Sequence, residues 1–85
     1  MNAAETPPPD WPDVTLFDGG ETGCGELLLD LLVFMKRQPS GTAVKIRALD
    51  PGAPLEIPAW CRLTGHTLVD AVHPFYLVQT ALSKT

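Results

Sequence analysis

Between Gly19 and Leu32 the sequence runs Gly-Gly-Glu-Thr-Gly-Cys-Gly-Glu-Leu-Leu-Leu-Asp-Leu-Leu. A glycine-rich loop passes without interval into an apolar pattern of helical period, and this transition constrains the chain more than any other feature. Leu27, Leu28, Leu31, Leu32 and Met35 fall on one face at helical spacing, which predicts a helix from about Gly25 to Arg37. Lys36 and Arg37 suit its last turn, and Pro39-Ser40-Gly41 stops it. Val14 to Asp18 precedes the loop as a candidate strand, with Val14 and Leu16 on one side. Behind the helix, Val44, Ile46 and Ala48 alternate with Lys45 and Arg47. That alternation predicts a strand from Ala43 to Leu49 with one buried face and one wet face. Two strands joined by a helical crossover pair in parallel.

The second half follows the same logic. Asp50-Pro51-Gly52-Ala53-Pro54 is a strong turn signal. A second helix is expected over roughly Ile57 to Thr64, starting near Pro58 because proline cannot sit deep inside a helix. Ile57, Trp60, Cys61 and Thr64 share a face, and Gly65 supplies the stop. Thr67 to Val72 and Phe75 to Leu82 read as two more strands, and the tight link at His73-Pro74 makes them an antiparallel hairpin. The order βαβαββ predicts an α/β two-layer sandwich, a four-stranded mixed sheet with both helices on one face. Residues 1–13 carry Pro7, Pro8, Pro9 and Pro12 and read as an extended, flexible tail. Trp11, its one large apolar side chain, is expected to tuck loosely on the domain formed by residues 14–85.

At 85 residues the chain supports one domain with a modest core. Its net charge is −4 and its six lysines and arginines are scattered, which argues against the clustered positive surface that nucleic acid requires. No apolar run reaches membrane-spanning length, and Met1-Asn2-Ala3-Ala4-Glu5 lacks the features of a secretory leader. A cytoplasmic protein with reduced thiols is expected. The two cysteines and two histidines lack zinc-site spacing, so no metal is expected.

Cys24 is the candidate reactive residue. A helix N-terminus presents four backbone N–H groups without helical partners, and the aligned peptide dipoles favour negative charge there. A thiolate is such a charge. The stabilisation is about 0.3–1 kcal/mol, reaching roughly 2 in sheltered sites. Glu26, in the first turn, opposes it. A moderately activated thiol follows. Gly23 and Gly25 leave its sulfur open to approach, whereas a buried structural cysteine is the bland alternative. Cys61 lies on the apolar stripe of the second helix and is expected to be packing, with a disulfide to Cys24 as the alternative. Leu29 and Val33 plot opposite the core stripe of the first helix, beside Glu26, Asp30 and Arg37. They either meet the second helix or form a small apolar docking patch near the Cys24 end. His66 is expected to be hydrogen-bonded at a helix exit and His73 to be a turn residue. Arg62, Lys45 and Arg47 are expected to be solvated.

The order of elements, together with Gly23-Cys24-Gly25-Glu26-Leu27, Asp50-Pro51, Ile57-Pro58-Ala59-Trp60-Cys61 and Gly65-His66, resembles the TusA/SirA-like sulfur-carrier family. Cys24 stands at the place of the cysteine in that family's Cys-Pro-x-Pro motif, with Gly25 and Leu27 where the family has proline. The resemblance implies a cysteine that carries sulfur transiently as a persulfide, with no other cofactor. It implies a sulfur donor, such as a cysteine desulfurase or another sulfurtransferase, and an acceptor protein. Two further functions are kept beside it: a non-catalytic binding or regulatory module of the same fold, and a Cys24–Cys61 redox switch.

Overall fold

The computed structural model describes Trp11 and residues 14–81, the side chain of Cys24 excepted. Apart from Trp11, the tail expected over residues 1–13 lies outside the described residues. The elements are β1 (Thr15–Gly20), α1 (Cys24–Lys36), β2 (Ala43–Ala48), α2 (Ala53–Thr64), β3 (Thr67–Val72) and β4 (Phe75–Gln79). The sheet is four-stranded in the order β1-β2-β4-β3. β1 and β2 pair in parallel, and β4 pairs antiparallel with both β2 and β3. The architecture is the expected α/β two-layer sandwich with an open mixed sheet.

Cross-strand register sorts the side chains between the two faces. Phe17, Ile46, Tyr76 and Ala71 form one row, and Thr15, Val44, Val78 and Leu68 another. Val44, Ile46, Tyr76 and Val78 are buried with Leu27, Leu31 and Met35 of α1 and Ile57, Trp60 and Cys61 of α2, so both helices cover this face. The opposite face carries the rows Leu16-Lys45-Leu77-Asp70 and Asp18-Arg47-Phe75-Val72. Val14 and Leu16 therefore do not mark the core side of β1. Phe17 does, packing on Phe34 of α1 with ring centroids 5.0 Å apart.

Three boundaries differ from expectation by more than one residue. β1 runs on through Gly19 and Gly20, with a register shift between Asp18 and Gly20. A side chain at Gly19 would place its Cβ 2.4 Å from Leu27 Cδ1, and Gly20 adopts φ +52°, so each glycine serves the strand end for its own reason. α2 begins at Ala53 instead of Ile57. Asp50 starts it early: its carboxylate accepts from Gly52 N at 2.8 Å, and its carbonyl accepts from Ala53 N at 3.0 Å. Pro58 then sits inside the helix, where it has no N–H to bond back to the carbonyl of Pro54. β4 leaves the ladder after Gln79. Thr80 is buried, donates its hydroxyl to Pro39 O at 2.8 Å and its amide to Thr42 O, and accepts from Thr42 N. The next amide, of Ala81, donates to His66 Nδ1.

Candidate functional site

The parallel pairing of β1 with β2 brings the loops leaving both strands to one end of the sheet. Glu21, Thr22 and Gly23 lead from β1 into α1, and the segment from Leu49 to Gly52 leads from β2 into α2. Both helices thus present their N-termini at this end. The His73-Pro74 hairpin joins them there, since Pro74 O accepts from Ala48 N at 2.8 Å. In open α/β sheets the carboxyl ends of the parallel strands are where the fold offers a site.

Cys24 is the first residue of the 13-residue helix α1. Its N-cap, Gly23, is extended at φ −64°, ψ 152°, makes no side-chain cap, and accepts from Leu27 N at 2.8 Å. Nothing lies within 4 Å of where a Cβ would stand on Gly23 or Gly25, and neither glycine adopts positive φ. Their small size therefore clears space on either side of Cys24 and meets no demand of the backbone. The connection itself is well tied. Thr22 N donates to Gly19 O, Gly20 N to Asp18 Oδ1 and Leu49 N to Gly20 O. Glu26 is exposed in the first turn of the helix.

Leu29 and Val33 are 67% and 52% exposed on the outer face of α1. Neither is buried against α2. Arg47 differs from the solvated cation expected. Its Nη1 lies 3.0 Å from Asp18 Oδ1, in a pair that crosses the ends of β1 and β2 on the face away from the helices. The same Asp18 oxygen accepts from Gly20 N, so one carboxylate ties the loop to a cation.

Cys61 is a free, buried thiol on α2, and burial pushes its pKa up to about 11. At neutral pH roughly one molecule in ten thousand carries it as thiolate. His66 accepts from Ala81 N at 2.8 Å and stacks on Trp60 with centroids 5.2 Å apart. Desolvation lowers its pKa, which keeps the ring a neutral acceptor. His73 is exposed in the hairpin and hydrogen-bonded to the buried Tyr76 hydroxyl, which ties the turn to the core. Sequence reasoning missed three contacts: Asp50 as the initiator of α2, the Asp18–Arg47 pair and the Tyr76–His73 bond. The Asp-Pro-Gly spacing carried a signal for the first alone.

Among the described residues no cluster of histidine, cysteine and carboxylate side chains has metal-binding geometry, and no helix is long and apolar enough to cross a membrane. No protein-family model matches the chain, and no curated protein matches it.

Proposed function

We propose that this chain is a small sulfur carrier acting through Cys24. The observation that carries the proposal is the place of Cys24: first residue of α1, at the carboxyl end of a parallel strand pair, between two glycines with open space beside them. The resemblance to the TusA/SirA-like carriers supplies the chemistry. The Cys24 thiolate attacks the outer sulfur of a donor persulfide. The donor's S–S bond breaks, its cysteine leaves as thiolate, and Cys24 holds the sulfur as a persulfide. An acceptor nucleophile then attacks that outer sulfur and regenerates the Cys24 thiolate. Each step exchanges one sulfur–sulfur bond for a bond to the next nucleophile, so the carrier ends unchanged. The helix N-terminus favours the anion before and after loading. Leu29 and Val33, about one and a half and two and a half turns further along α1, offer a docking patch for the donor or acceptor, and the reducing cytoplasm suits a carrier that works as a thiol. Burial of Cys61 and its raised pKa weigh against the Cys24–Cys61 switch.

The test is persulfide trapping. The full chain is incubated with a cysteine desulfurase, cysteine and a persulfide-trapping alkylator, and intact mass is read. One added sulfur on the wild type and none on Cys24→Ser is the expected result. No sulfur on the wild type, or equal loading of Cys24→Ser, overturns the proposal and favours the binding module.

A further inference from the structure

Phe75 and Leu77 are 5% and 8% exposed, although register places them on the face of the sheet that neither helix covers. In a two-layer sandwich that face is ordinarily the wet one. Part of the cover is local, from the stems of Lys45 and Arg47 on the adjacent strand. Trp11 reaches the same face, where its indole Nε1 donates to Asp70 Oδ2 at 3.1 Å. Asp70 ends the row Leu16-Lys45-Leu77-Asp70, directly beside Leu77. Its other oxygen accepts from Ala71 N at 2.8 Å, which holds the carboxylate in place. Trp11 itself is only partly exposed, 59 residues away in sequence from its acceptor.

We infer that the helix-free face is a docking surface occupied by the chain's own N-terminal segment, with Trp11 as the anchor. The chemistry of the segment suits the surface. In sequence Trp11 and Pro12 stand between Asp10 and Asp13, and the rows on this face hold Lys45, beside Leu77, as well as Arg47, which is paired with Asp18. The prolines at 7, 8, 9 and 12 limit the entropy lost when such a segment is laid down. Trp11 is joined to the sheet through a side-chain hydrogen bond at an exposed site, which makes it a displaceable cover. This inference stands apart from the sulfur chemistry, which belongs to the strand ends and the helix face.

The experiment compares full-length wild type with Trp11→Ala, Trp11→Phe and Asp70→Ala. The readouts are binding of the apolar dye ANS, sedimentation velocity, and far-UV circular dichroism as a check of folding. Trp11→Ala is expected to bind ANS several-fold more strongly with its circular dichroism unchanged. Trp11→Phe, which keeps a ring and loses the N–H, and Asp70→Ala, which loses the acceptor, are each expected to give a smaller rise. Unchanged ANS binding in a folded Trp11→Ala overturns the inference. Should that variant fail to fold, unchanged binding in both Trp11→Phe and Asp70→Ala overturns it. A wild type that sediments as a dimer, and binds ANS only on dilution, also overturns it by making a second copy the cover.

Discussion

Replacing Gly19 by alanine tests how the end of β1 is fitted to the helix that carries Cys24. The new Cβ would stand 2.4 Å from Leu27 Cδ1 and 3.3 Å from the carbonyl oxygen of Arg47. Carbon atoms in contact prefer about 3.5–4.0 Å, so the overlap with Leu27 is more than an ångström. Leu27 is 1% exposed and cannot swing into solvent. Overpacking of this kind costs about 1–3 kcal/mol. Loss of glycine's freedom in the unfolded chain offsets about 0.4–1 kcal/mol of it. The net destabilisation is about 1.5 kcal/mol, which lowers Tm by roughly 6–12 °C for a domain of this size. Gly25→Ala is the matched control. It lies inside α1 with nothing within 4 Å, so it should gain about 0.4–1 kcal/mol and raise Tm. Thermal unfolding followed by circular dichroism measures both. A double-mutant cycle with Leu27→Ala isolates the cause, because removing the obstructing side chain should cancel about 1 kcal/mol of the Gly19→Ala penalty. A Tm for Gly19→Ala at or above that of wild type, or strict additivity in the cycle, refutes the packing argument.

Further outcomes follow from the same structure. The raised pKa of Cys61 means that the folded state holds the thiol proton more tightly than the unfolded state. Its contribution is full below pH 9 and is lost as pH rises toward 11, so urea stability should fall across that window more steeply in wild type than in Cys61→Ala. The depressed pKa of His66 has the opposite sense. Its contribution is full above about pH 6.5 and fades as pH falls, so the amide of Ala81 should exchange faster at pH 5, relative to its intrinsic rate, than at pH 7. His66→Ala should cost about 1–2 kcal/mol in urea unfolding by orphaning that amide. Leu29→Asp and Val33→Asp change exposed positions, so stability should stay within about 0.5 kcal/mol, while sulfur loading from a donor protein, timed by intact mass, should slow.

Much of this fold is legible wherever one residue's local preference agrees with its tertiary role. Val44, Ile46 and Ala48 alternate because one face of β2 is buried, and Gly65 stops α2 because it alone takes φ +86° at no cost. The hairpin at His73-Pro74 is equally plain. The failures come where a side chain answers to a distant partner. Gly19 looks like loop, yet its missing Cβ is what lets Leu27 approach the strand. Pro58 looks like a helix start, because the bonding of Asp50 that initiates the helix a turn earlier leaves no periodic trace. Which side of β1 meets the helices stays open until the register shows that Phe17 faces them. At the candidate site, the glycines flanking Cys24 were legible from the sequence, whereas spacing left Leu29 and Val33 open between a contact with α2 and an exposed face. Arg47 was not legible, because its partner Asp18 lies 29 residues away and meets it only through strand pairing.

The strand order also sets a timetable for folding. β4, the last of the described elements, lies between β2 and β3, and four consecutive residues, Phe75 to Val78, are buried in it. A ribosome delivers β1, α1, β2, α2 and β3 before the strand that unites them exists. Until β4 emerges, β3 has no partner and β2 keeps an open edge. The closing step must therefore bring together residues as distant as Ala43 and Gln79, a long-range closure of the kind that slows folding. Nascent chains ending before Phe75 should stay protease-sensitive, and those that include Gln79 should become resistant in one cooperative step.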